Sequence, residues 1–142
     1  MSDFILITGD KAMFNPNFGQ AIVTVRPGDL IGTGKDKIDG KLVCVDGDEK
    51  KVTVPGCPYI TPQYSIPGVG MLFIESLADN QKAKKTKSKG KPVLLKGGQF
   101  KAKFTVLVPA QQPSAPSPIP DNTPQYSGNG TFISLNLKVK GT

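Results

Sequence analysis

The chain of 142 residues contains no histidine. That one absence removes the usual general acid–base group and the commonest metal ligand together. Long hydrophobic runs are missing too. No stretch approaches the roughly 20 apolar residues a membrane helix needs, and the amino-terminal residues lack the basic region, apolar stretch and cleavage site of a secretory signal. The sequence therefore predicts a protein made in the cytoplasm that, if exported, leaves by another route. Cysteine is limited to Cys44 and Cys57. Two sulfurs can pair, but they do not complete the four-ligand shell of structural zinc. They read first as small buried hydrophobes and only second as metal candidates. With no nucleophile–base constellation in view, an enzyme is the function class the residues support least.

Glycine and proline are plentiful instead, at 16 and 13 residues, about a fifth of the chain and above average usage. Neither suits the interior of a long helix. The apolar residues come in short bursts with a period of two. Phe100, Ala102, Phe104, Val106 and Val108 form one alternating series, and Ile133, Leu135, Leu137 and Val139 form another, as strands with one buried face should. Gly9, Gly47 and Gly97 supply hairpin-turn chemistry, because glycine takes the positive φ that tight turns demand. Only Glu75–Lys85 is compatible with a helix. The expected fold class is all-β.

The pentapeptide Thr-Pro-Gln-Tyr-Ser occurs twice, at Thr61–Ser65 and Thr123–Ser127. Chance does not readily repeat five residues in so short a chain, and the likeness extends outward from both copies. Gly40–Lys51 aligns with Gly90–Lys101, Val52–Gly56 with Phe104–Ala110, and Gly68–Ile74 with Gly128–Ser134. The first third repeats the order with more drift, through Phe4–Asp10, Ala21–Gly28 and the pair Gly32 and Gly34. A single domain over residues 1–142 is expected, built from three modules at about 1–39, 40–89 and 90–142. The proline-rich stretch 108–124 is an expanded loop of the third. Tyr64 and Tyr126 are expected in equivalent places, as packing or interface anchors.

The net charge of +7 is unevenly placed. Residues 1–60 carry seven Lys or Arg against eight Asp or Glu, whereas residues 61–142 carry eleven against three. Lys82, Lys84, Lys85, Lys87, Lys89 and Lys91 supply much of the excess and can contact the phosphates of nucleic acid or anionic lipid headgroups. A solvated, flexible loop between modules is the plainer reading of that run, and no aromatic residue is interleaved to stack bases. Asp46–Glu49 reads as a hairpin turn rather than a calcium loop. The paired glycines lack the following helix of a phosphate loop.

Three similar modules can make a pseudo-threefold body that covers the end of a true homotrimer and satisfies its open strand edges. The module order, with the strings ITGDKAMFNPNFG, VPGCPYITPQYSIPGVG and PDNTPQYSGNGTF, resembles the PAAR-repeat and PAAR-like spike tips of contractile injection systems. Such systems include type VI secretion and extracellular phage-tail-like particles, whose variant the strings resemble. The resemblance implies a compact cone with no enzymatic activity that caps a homotrimeric spike of the valine-glycine-repeat type, one tip chain per trimer. It implies assembly at the particle tip, piercing of the target envelope on sheath contraction, transient contact with the target membrane, and a cargo effector as a further partner. Nucleic acid is not expected. The usual zinc site of the family, on three His and one Cys, cannot be carried over to a chain without His, so no cofactor is expected. Val-Pro-Ala-Gln-Gln (Val108–Gln112) is at most an echo of the Pro-Ala-Ala-Arg motif. The alternative is a basic β-rich module that binds nucleic acid or another polyanion.

Overall fold

A computed structural model describes residues 3–142 and is all-β, with two short 3₁₀ turns at Asp48–Lys51 and Asp79–Gln81. One curled sheet of eight strands forms the body. Its hydrogen-bonded order is Asn17–Phe18, Ala21–Val23, Thr53–Ile60, Gly68–Ser76, Gln99–Val108, Gln125–Ile133, Lys11–Phe14 and Gly28–Asp29. The hairpins from the middle and last thirds of the chain lie side by side in the centre. Strands from the first third occupy both flanks.

At one end of this sheet three short segments close a hub. Ile5 bridges Leu95, Ile7 bridges Val43, and Val45 bridges Val93, all antiparallel. The backbone bonds run in a cycle: Leu6 N–H donates to Leu94 C=O (2.9 Å), Leu94 N–H to Cys44 C=O (2.9 Å), and Cys44 N–H to Leu6 C=O (2.8 Å). A second cycle runs outside the first, from Thr8 N to Leu42 O, Asp46 N to Pro92 O and Lys96 N to Phe4 O. Each third of the chain supplies one segment to both cycles, so the hub is pseudo-threefold and its strands leave no open edge among themselves.

Alternation along the hub segments separates two cores. The central residues Leu6, Cys44 and Leu94 join the large core enclosed by the sheet, with Phe18, Leu72, Phe100 and Phe104. Their neighbours Ile5, Ile7, Val43, Val45, Val93 and Leu95 form a smaller cluster with Ala83. Phenylalanine fills the large core edge to face, as in Phe14 against Phe100 at 5.4 Å. The paired glycines are explained here: a Cβ on Gly70 would lie 2.3 Å from the Phe104 ring, and one on Gly130 would lie 2.5 Å from the Phe100 ring. These two make room for aromatic rings, whereas Gly32 and Gly34 make room for the Leu42 and Val43 backbone and the Val43 side chain.

Several expectations need correcting. Glu75–Lys85 is not a helix; Glu75 and Ser76 end a strand, and Lys82–Ser88 is another. The lysine run is therefore a strand rather than a flexible loop, paired with Lys91–Leu94 across a turn in which Lys89 and Gly90 both have positive φ. The series from Ile133 to Val139 is not a half-buried strand. Ile133, Leu135, Leu137 and Val139 are exposed and Asn136 is the buried residue. Asn136 wins that place because its side chain saturates four backbone groups, donating to Ile5 O and Val139 O and accepting from Lys138 N and Val139 N. The expected turns at Gly9, Gly47 and Gly97 do have positive φ, at 95°, 102° and 52°.

Candidate docking face and the opposite end

The three hub segments are each entered from a short antiparallel pair. Lys37–Ile38 pairs with Lys41–Leu42, Lys82–Ser88 with Lys91–Leu94, and Asp3–Phe4 with Lys140–Gly141. The first two are two-residue hairpins whose turns, Asp39-Gly40 and Lys89-Gly90, have positive φ at both positions, the geometry that suits the strand twist. Three strand pairs thus surround the hub.

Each glycine turn beyond the hub is locked by a neighbouring segment. Asp10, fully buried, accepts from Ile7 N (2.8 Å), Ser134 Oγ (2.8 Å) and Leu135 N (2.7 Å). Asp48 stands at the corresponding place and accepts from Val45 N (2.8 Å), Thr33 N (3.0 Å) and Thr33 Oγ1 (2.7 Å). The third turn has Gly98 where the others have Asp. There Asn80 accepts from Gly98 N, and Gln81 donates to Lys96 O and Gly98 O. These carboxylates were legible only as parts of turns. Their three hydrogen bonds apiece explain how they are buried without a cation.

Among the predicted site residues, Cys44 and Cys57 are both fully buried free thiols in the large core. Burial, and after it the Asp48 and Asp10 carboxylates, push the Cys44 thiol far above its ordinary range, which opposes the thiolate a metal requires. Among the described residues no group of three or more Cys, Asp and Glu is gathered to hold a metal ion. Lys82, Lys84, Lys85, Lys87, Lys89 and Lys91 are all exposed. Lys82 pairs with Asp46 at 3.2 Å. Lys82, Lys84 and Lys85 border a surface hollow of about 670 Å³ that also includes Asp3 and Asp79, a mixture of signs rather than a dedicated anion cradle.

The strands run from the hub to an opposite end of different character. Tyr59 faces Gly68 and Thr105 faces Gln125 there, so the turn 61–67 and the loop 109–124 both lie away from the hub. A network not anticipated from the sequence ties that loop down. Asp121, buried, accepts from Tyr59 Oη (2.9 Å) and Tyr126 Oη (2.6 Å), and Tyr59 Oη in turn accepts from Ala110 N (2.9 Å). Burial alone would raise the Asp121 carboxyl; the hydrogen bonds from Tyr126, Thr123 and Tyr59 outweigh it and hold the group below its usual value. Tyr59 is pushed up to about 12, by burial first and by Asp121 beside it. Tyr64 and Tyr126 both pack half-buried on the large core. Their backbones differ: the first pentapeptide is a turn closed by Thr61 N to Tyr64 O, whereas Gln125 and Tyr126 already belong to a strand.

The molecule thus has a cyclic hub with three flanking strand pairs at one end and unequal loops at the other. The family model for the contractile injection system spike tip protein matches residues 1–142, the whole chain. The chain belongs to that family. No curated protein matches it. Membership makes the chain a component of the tip of an injection particle. None of the described helices is long and apolar enough to cross a membrane. In this spike tip Cys44 lies on the hub as part of the large apolar core, flanked along the chain by Val43 and Val45 of the smaller cluster.

Proposed function

We propose that this spike tip is a non-enzymatic cap that docks by its hub end on a homotrimeric spike protein of the valine-glycine-repeat type, one tip chain per trimer, and helps breach the target envelope when the sheath contracts. The cyclic hydrogen bonding of Leu6, Cys44 and Leu94 carries this reading. A homotrimer ends in three equivalent surfaces, and a single chain meets all three equally well only where its own parts are related by the same rotation. The hub and its three strand pairs meet that condition. The far end does not, because its connections are a short hairpin, a seven-residue turn and a long proline-rich loop. On this reading the chain is one domain of three modules, about 1–39, 40–89 and 90–142, made in the bacterial cytoplasm and assembled at the particle tip of a type VI or phage-tail-like system. It leaves room for a cargo effector as a further partner.

Native mass spectrometry of the chain co-expressed with its spike protein tests the proposal. One tip on three spike chains is the expected mass; no complex, or equal copy numbers, would remove the symmetry reasoning. The exposed lysines on Lys82–Lys91 favour a second reading, a polyanion-binding module. That reading requires affinity for nucleic acid that falls steeply as salt rises, and a salt titration separates the two.

A further inference from the structure

The end opposite the hub is nearly free of charge. Residues 12–25, 52–74 and 104–137 include every strand and turn at that end, and the single charged residue among them is Asp121, which is buried beneath two tyrosine hydroxyls. All eighteen lysines and arginines lie outside these stretches. The same end exposes large apolar side chains: Leu107 at 57%, Val108 at 58%, Ile119 at 47% and Ile22 at 53%, with Ile60 opposite Ile22 across a strand pair.

The backbone there is also poor in free donors. Four prolines lie within residues 55–67 and six within 109–124, ten of the chain's thirteen, and proline has no N–H. Several donors that remain are taken: Ile66 and Gln111 exchange both their backbone bonds, Asp121 N donates to Ala110 O, and Thr61 N donates to Tyr64 O. A surface without formal charge, with apolar side chains outward and many of its N–H groups absent or paired, is better tolerated by a hydrocarbon phase than one with exposed charges and free amides.

We propose that this end is a lipid-contacting surface that enters the interface of an uncharged bilayer through Leu107, Val108, Ile119 and the neighbouring Ile60 and Ile22, and that the lysine-rich strand at the hub end does not supply the membrane contact. The inference deepens the capping proposal by assigning the point opposite the docked face, and it rests on that reading for its direction. The attraction is apolar, so it needs no anionic headgroup and is insensitive to salt.

The test is flotation of the full chain with vesicles of phosphatidylcholine alone and of phosphatidylcholine with one third phosphatidylserine, in low and high salt. The chain should float with both at either salt concentration. The triple variant L107D/V108D/I119D should lose roughly tenfold or more of its binding, with K84Q/K87Q/K89Q unchanged. L107S/V108S/I119S replaces the acidic triple if thermal unfolding shows the latter misfolded. Failure to float with phosphatidylcholine, binding kept by the apolar-to-polar triple, or binding that requires phosphatidylserine and disappears in K84Q/K87Q/K89Q each overturns the inference. Co-purification with the spike trimer is measured on the same variants. Failure of the parent chain to co-purify with the spike trimer, with its lipid binding intact, would count against the docking proposal alone.

Discussion

Asp48→Ala is the sharpest probe of the locks around the hub. The carboxylate accepts from Val45 N, Thr33 N and Thr33 Oγ1, and both Val45 and Asp48 are buried. Removing it orphans two backbone donors and a hydroxyl. A buried donor left without a partner costs about 1–3 kcal/mol. Val45 N bears the full penalty, while water reaches the half-buried Thr33 and recovers part of its share. The expected loss is about 3 kcal/mol, or about 10 °C in the unfolding midpoint of a chain this size. Asp48→Asn keeps one oxygen for the two backbone donors, and the Thr33 hydroxyl can turn to accept from the new amide. It should cost only about 1 kcal/mol. Asp10→Ala, which strips Ile7 N, Leu135 N and Ser134 Oγ in the same way, should match Asp48→Ala closely. Thermal unfolding followed by circular dichroism, with urea titration for the free energies, reads all three. If Asp48→Ala lies within about 1 kcal/mol of the parent, or Asp48→Asn falls as far as Asp48→Ala, the locks are not what hold the glycine turns to the hub.

Further outcomes follow from the same structure. Asn136→Ala should destabilise by about 2–4 kcal/mol because it frees two carbonyls and two N–H groups, whereas Leu137→Ser, at a side chain 74% exposed, should stay within about 0.5 kcal/mol; equal effects in urea unfolding would refute the assignment. The carboxyl of Asp121 is held low, so its contribution is complete at neutral pH and lost as pH falls below about 4. For Tyr59 the folded value of about 12 exceeds the unfolded value of about 10, so stability is lost between those limits as pH rises; Tyr59→Phe should flatten the alkaline limb when stability is measured against pH. Cys44 and Cys57 should resist a thiol reagent until the chain is denatured, and treatment with a strong chelator should leave the unfolding midpoint unchanged.

The fold class and the threefold recurrence were legible because they are written in local chemistry. Glycine followed by Asp or Gly marks the three turns, and Ile5-Leu6-Ile7, Val43-Cys44-Val45 and Val93-Leu94-Leu95 are plain unbroken apolar bursts. The hub itself was not legible. Its closure depends on three segments far apart in the chain meeting at fixed register, and backbone bonds of that kind leave no mark on side-chain identity. Alternation misled at Ile133–Val139, where a single Asn with four backbone partners turned the apolar residues outward. The lysine run misled for the opposite reason. Its charge suggested a solvated coil, yet Ala83 and Ser88, both buried, anchor a strand whose other side chains face water. The segregation of charge between the two ends was present in the sequence all along, but it acquires meaning only when the turn 61–67 and the loop 109–124 are known to lie together.

The cycle of bonds at the hub also governs how the molecule would bear a load. A strand at the margin of an ordinary sheet can be peeled away one hydrogen bond after another, each break lowering the force needed for the next. In the hub every segment is held on both sides by the other two, so none has a margin from which peeling could start. Thrust delivered along the threefold axis is divided among three segments at once, and failure requires several bonds to rupture together rather than in turn. Unequal loops at the opposite end can then vary in length and composition without weakening the hub.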